Sequence, residues 1–107
     1  MMNHSDRNIE IEWMDSFLKR LTGAITRPLN KQRKLLVFSP GGSVHTFFMR
    51  YKIHVFFLDQ DFNILQVHTD INPWKVVLAP KGTRYVAESG ANITWEDARL
   101  AVENLNG

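Results

Sequence analysis

Apolar and polar positions change over in short blocks along most of this chain, and the blocks set the elements. The densest is residues 45–58, HTFFMRYKIHVFFL, where aromatic and β-branched residues crowd together. Within it Ile53, Val55 and Phe57 share one parity, and His54, Phe56 and Leu58 share the other. Both sets are largely apolar, which predicts a central strand covered on both faces. Upstream, residues 9–13 (IEIEW) alternate strictly, with Ile9, Ile11 and Trp13 on one side and Glu10 and Glu12 on the other. That is the pattern of a half-buried strand. Residues 35–38 (LLVF) read as a buried strand. Residues 39–43 (SPGGS) read as a loop, because Pro40 and the Gly41-Gly42 pair break both helix and strand.

Downstream, residues 64–69, 74–79 and 83–88 read as further strands, divided by turns at 59–63, 70–73 and 80–82 and followed by a loop at 89–92. If Asp59 and Asn63 close a three-residue hairpin loop, Leu58 faces Ile64, Phe56 faces Gln66, and His54 faces His68. The third loop position favours a left-handed glycine and holds Phe62 instead, so a one-residue slip that separates the two histidines is the alternative. Asp15 or Ser16 caps an expected short helix carrying Phe17, Leu18 and Leu21, ended near Gly23. The tail predicts a second helix. Thr94 is its N-cap, Glu96 and Asp97 fill the first turn, and Ala98, Ala101, Val102 and Leu105 form its apolar stripe. Strands joined by so few residues are expected to pair in sequence order. The fold class is mainly β (α+β by content): a small antiparallel β-sandwich or open barrel of about five to seven strands, with a short N-terminal helix and a C-terminal helix.

Composition bounds this picture without redirecting it. The 107 residues suit one domain spanning 1–107, with residues 1–8 frayed. The chain is 44% hydrophobic and 22% charged, too apolar for disorder. Without cysteine it has neither a disulfide framework nor a thiol nucleophile. A net charge of +2 is a slight basic bias and only a weak pointer to nucleic acid or an anionic membrane. No signal-peptide pattern is visible, and no apolar run approaches the ~18–20 residues of a membrane span, so the expected location is the cytoplasm.

The phrase HTFFMRYKIHVFFLD, followed by an Asp-rich turn, a strand and Pro73-Trp74-Lys75, resembles a prokaryotic family of unknown function, domain-of-unknown-function family 192. Its members read Ser-hydrophobic-His-Thr-Phe-x-Met-Arg and then Pro-Ile-Asp-Val-hydrophobic-Phe-Leu-Asp. The chain is similar at Ser43, His45, Thr46, Phe47, Met49, Arg50, Ile53, Val55, Phe57, Leu58, Asp59, Pro73, Trp74 and Glu88. The likeness covers about residues 20–90, with RLTGAITRPL (20–29) similar to the family's entry segment. It departs at Lys52 for the family's Pro, His54 for its Asp, Gly41 near its common Cys, Phe62 for the hairpin glycine, and a helical tail in place of a glycine-rich one. The resemblance implies a mainly-β sandwich and no assigned chemistry.

Candidate chemistry gathers on loops. His45 and Thr46 follow the glycine loop, and histidine is poised near neutral pH. The competing reading is a histidine that anchors the loop. Thr69, Asp70, Asn72 and Trp74 crowd one turn, where Trp74 either stacks a ligand or plugs the core. Arg50 and Glu88 complete the ligand-binding set His45, Thr46, Arg50, Asp70, Trp74 and Glu88, with Glu88 otherwise an ion-pair partner of Arg50 or Arg84. No metal site is assigned, because the His54–His68 pair matches no standard ligand spacing and stands only as an alternative. Asp59 and Asp61 look like paired carboxylates but suit turn chemistry better. Arg20, Arg27, Lys31, Arg33 and Lys34 lack the aromatic companions of a nucleic-acid surface, so nucleic acid is not the expected partner. No catalytic set with a nucleophile and orienter is complete. The expectation is a non-enzymatic module with no cofactor, binding an unknown small molecule or protein at the end formed by residues 41–46 and 70–74. A small hydrolase or metal-assisted enzyme using His45 with His54 or His68 is the rival, and a homodimer through a strand edge is a further possibility.

Overall fold

Ile53–Leu58 is buried at all six positions, as expected of a strand with two apolar faces. The computed structural model describes residues 8–14, 29–47 and 49–106. Its strands are β1 (Glu10–Met14), β2 (Lys34–Phe38), β3 (Val44–His45), β4 (Ile53–Leu58), β5 (Ile64–Ile71), β6 (Val76–Val77) and β7 (Tyr85–Gly90). Among the described residues one α-helix, α1, spans Trp95–Glu103. The expected N-terminal helix lies outside the described residues.

The fold is mostly β. Five strands form one sheet in the order β1-β2-β7-β4-β5, and β3 pairs with β6 in a separate two-stranded ribbon. No closed barrel forms among the described residues. Every pairing is antiparallel except β1 with β2, which is parallel. Pairing in sequence order holds for β1–β2 and β4–β5 but not for the centre. There β7 lies between β2 and β4, bringing Glu88 opposite both Leu36 and Val55. The short connections expected to pair neighbours instead carry the chain across the sheet as the ribbon.

The sheet has an apolar cluster on each side. Leu36, Phe38, Ile53, Val55, Phe57 and Val86 face the ribbon, with Val44, Met49, Val77 and Ala79 packed on them. Leu35, Val37, Phe56, Leu58 and Ala87 face the helix, with Ile93, Ala98 and Val102 covering them. The helix is held as its sequence predicts. Thr94 Oγ1 accepts from the Asp97 amide at 3.2 Å, Glu96 and Asp97 fill the first turn, and Ala98 and Val102 are its buried positions. Ile93, just before the cap, is fully buried beneath it.

The dense block at 45–58 is therefore not one strand. Val44–His45 belongs to the ribbon, and the chain crosses to the sheet before β4 begins. The strand expected at 74–79 shortens to Val76–Val77, while that expected at 83–88 runs on to Gly90. Glycine suits that end, because a Cβ on Gly90 would lie 2.8 Å from the Leu29 carbonyl.

The β4–β5 hairpin closes as expected at its turn. The Asp59 amide donates to the Asn63 carbonyl at 3.0 Å, and Phe62 takes the left-handed position at φ 64. Asp59 Oδ1 accepts from the Asp61 and Asn63 amides at 2.8 and 2.9 Å. These bonds, that from Asn63 first, hold its carboxyl below the usual range. Asp59 and Asp61 thus serve the turn. Leu58 faces Ile64, but an irregularity between Phe57 and Leu58 shifts the ladder by one residue from Phe57 to Val55, and a second between Val55 and Ile53 shifts it again. Phe57 faces Gln66, Phe56 faces Val67, and His68 faces Val55 instead of His54.

Candidate functional site

The ribbon fixes the geometry of the residues around His45. Val44 pairs with Val77 and His45 with Val76. Val44 points into the core, so His45, next in the strand, is exposed. The chain then turns at Thr46, which is fully buried. Its hydroxyl donates to the Asn72 carbonyl at 2.7 Å and accepts from the Lys75 amide at 2.8 Å. Its backbone binds the same segment: Thr46 N–H donates to the Lys75 carbonyl at 2.8 Å, and its carbonyl accepts from Trp74 N–H at 2.9 Å. Thr46 is thus the clasp between the two loops and does not present its hydroxyl to a ligand.

The clasp sets Trp74 on a left-handed backbone, φ 65, with its side chain 60% exposed. Trp74 does not plug the core. Phe47 stacks against it with centroids 5.6 Å apart and planes at 28°. The His45 ring stands 5.0 Å from Phe47 at 34°. The Phe47 amide also makes a long 3.4 Å contact to His45 Nδ1. The result is a ledge of three rings, His45–Phe47–Trp74. His45 and Trp74 were expected at one end of the molecule, and they meet through Phe47, a residue absent from the candidate set. Its signal lay in the sequence all the same, within His-Thr-Phe-x-Met-Arg.

The remaining candidates fall into different places. Arg50 and Asp70 are exposed. Asp70 acts through its backbone, which at φ 53 aims its N–H at His54 Nδ1 over 3.1 Å. Glu88 is buried in the sheet, 3% exposed, while Arg50 and Arg84 are both exposed. Its charge reaches Tyr51. Burial raises the Tyr51 pKa, the hydrogen bond from Leu29 N–H opposes that, and the Glu88 carboxylate adds to the rise.

His54 is a structural histidine. It is 2% exposed, on the helix side of the sheet. Nδ1 accepts from Asp70 N–H, so Nε2 carries the proton and donates to the Ile93 carbonyl at 2.8 Å. His68 lies on the ribbon side, edge-on to Phe57 with centroids at 5.8 Å and 3.0 Å from Gln66 Oε1. The sheet therefore separates the two proposed metal ligands. Among the described residues no three His, Asp or Glu side chains gather as a metal site requires. Ser89 stands opposite His54, but its buried Oγ finds no hydrogen-bond partner among the described residues, and both nitrogens of His54 are taken. That pair is not arranged as nucleophile and base. Of the basic stretch near residue 30, Lys34 pairs with Glu12 at 2.9 Å and Arg33 lies 3.8 Å from Asp97. Two of its cations already face carboxylates. Arg20 and Arg27 lie outside the described residues.

The chain belongs to the DUF192 family, described as an uncharacterized group, whose model matches residues 1–100. Similar curated relatives are UPF0127 proteins of archaea. PH1112 of Pyrococcus horikoshii is 35% identical over 85 residues, covering 74% of this chain and 70% of its own. PF1050 of Pyrococcus furiosus is 31% identical over 91 residues, covering 79% and 75%. The fold is shared with a crystal structure of a protein of unknown function from Novosphingobium aromaticivorans (TM-score 0.70, 12% identity, 84% of this chain and 69% of that one). It is shared also with a putative transcription regulator from Sinorhizobium meliloti (TM-score 0.66, 15% identity, 85% and 73%). Among the described residues no helix is long and apolar enough to cross a membrane.

Proposed function

We propose that this chain is a non-enzymatic binding module whose contact surface is the His45–Phe47–Trp74 ledge. The observation that carries this reading is the state of Trp74. A large aromatic ring stays exposed on a left-handed backbone that Thr46 pins through Asn72, Trp74 and Lys75. Exposure costs the fold the burial of an indole, and the left-handed backbone costs about 1–2 kcal/mol more. A ring already fixed in place loses little further freedom on contact, which favours binding. Thr46 positions the ledge without touching the ligand.

A thermal-shift screen of chemically diverse ligands tests this. A ligand present at a hundred times its Kd stabilises by about 2.7 kcal/mol, a shift of several degrees. Trp74→Ala and His45→Ala are expected to abolish the shift of at least one such ligand. Hits that all survive both substitutions would move the site elsewhere.

A further inference from the structure

The ribbon packs one face on the core, and its other face carries large apolar groups beside the exposed His45. Val44, Val77 and Ala79 pack toward the sheet. The alternate positions Trp74, Val76 and Leu78 are 60%, 56% and 73% exposed. A strand pair covering a sheet normally turns polar residues outward. Contiguous exposed apolar groups on such a face mark an interaction surface.

The segments that form this face carry charge of one sign. Residues 43–52 and 72–84, which form the ribbon and its flanks, contain Arg50, Lys52, Lys75, Lys81 and Arg84 and no Asp or Glu. These segments hold five of the chain's thirteen cations and none of its eleven carboxylates, so the remainder, with eight against eleven, is net acidic. All five side chains are exposed, and none forms an ion pair with a described residue. Lys81 and Arg84 lie beyond one end of the ribbon, where Arg84 N–H reaches the Leu58 carbonyl. Arg50 and Lys52 lie beyond the other, where the Lys52 carbonyl accepts from Ala91 N–H. Lys75 lies between them.

We infer that the outer face of the ribbon docks on an anionic lipid surface. Trp74, Val76 and Leu78 enter the boundary between headgroups and acyl chains, and the five cations meet the lipid phosphates. This rests on the reading of the Trp74 ledge as a binding surface and names what it contacts. Two of the three exposed groups are aliphatic. They offer no ring face for a nucleic-acid base to stack on, whereas acyl chains accept them equally well. A rim of one sign suits a surface of repeated negative charge.

The test is cosedimentation of the unaltered chain with phosphatidylcholine vesicles, with and without phosphatidylglycerol. In parallel, a Trp13→Phe, Trp95→Phe background makes Trp74 the sole tryptophan, so that its emission reports insertion. The expected result is binding and a blue shift on the anionic vesicles alone, reversed by raised salt. Leu78→Asp with Val76→Asp, and separately Lys81→Glu with Arg84→Glu, should each weaken binding about tenfold or more, with folding verified by circular dichroism. Anionic-vesicle binding unaffected by either pair overturns the placement. Tighter binding to a single-stranded oligonucleotide than to vesicles assigns the face to nucleic acid. Failure on vesicles while a soluble ligand still depends on Trp74 overturns the lipid and leaves the ledge standing. Failure of both overturns the ledge as well.

Discussion

His54 occupies the position where the family's phrase carries aspartate, and the structure gives the histidine a specific employment. It is a neutral bridge between two backbone groups, Asp70 N–H and the Ile93 carbonyl, which lie on separate elements. An ionised carboxylate can only accept, so it would satisfy the first and face the second with like polarity. His54→Phe is expected to destabilise by about 2–4 kcal/mol, because it strands the buried Ile93 carbonyl and the part-buried Asp70 N–H together. Urea denaturation measures this, and a loss within experimental error would mean that the bridge contributes nothing. Tyr51 offers a second check, through pH. Its hydroxyl is harder to ionise in the fold than in the unfolded chain, where it titrates at about 10. A raised folded pKa contributes stability that is complete below about pH 10 and is lost as pH rises toward the folded value. Tyr51→Phe should therefore flatten the alkaline fall of stability in that window and leave the slope at neutral pH unaltered.

Among the elements, the β4–β5 hairpin sets two effects of Phe62 against each other. Its left-handed backbone, φ 64, costs about 1–2 kcal/mol that glycine would release. Its ring, however, stacks on Tyr85 at 4.4 Å and meets Trp13 edge-on at 5.9 Å. Burial and aromatic pairing together contribute about 2–4 kcal/mol. The ring wins, so Phe62→Gly should lower stability by about 1–2 kcal/mol despite supplying the residue that the turn type favours. A gain in melting temperature would reverse that ranking. The same hairpin marks where the sequence stops being legible. Its turn, its strands and its left-handed position could all be read, as could β2, β4 and the capped helix, because each has its own local pattern. The register could not. β4 is apolar on both faces, so alternation does not penalise a shift of one residue. The split of residues 45–58 between ribbon and sheet was hidden for a related reason. Ribbon and sheet bury the same residue types, and the break between them rests on the bonds of Thr46 to a segment more than twenty residues away.

For the molecule as a whole, the net charge of +2 conceals a division. Cations without carboxylates flank the ribbon, while the remainder of the chain is net acidic. The candidate site was legible to the extent that His45 and Trp74 were expected together. Thr46 and Glu88 were candidates on the strength of residue type alone, and the fold buries both. Residue type cannot reveal which face a side chain takes when the partner strand is distant in sequence. Phe47 shows the converse, because its place between two rings comes from a tertiary contact and not from its spacing.

The position of β7 has a kinetic corollary. It follows the other described strands in the chain and so leaves the ribosome after them, yet it occupies the middle of the sheet, between β2 and β4. The β4–β5 hairpin is local and can form as soon as it emerges. Until residues 85–90 are made, the inner edges of β2 and β4 have no partner, and these are among the most apolar segments of the chain. The interval between synthesis of β4 and arrival of β7 is then the window in which the nascent polypeptide is most open to misassociation with its neighbours and most dependent on chaperones.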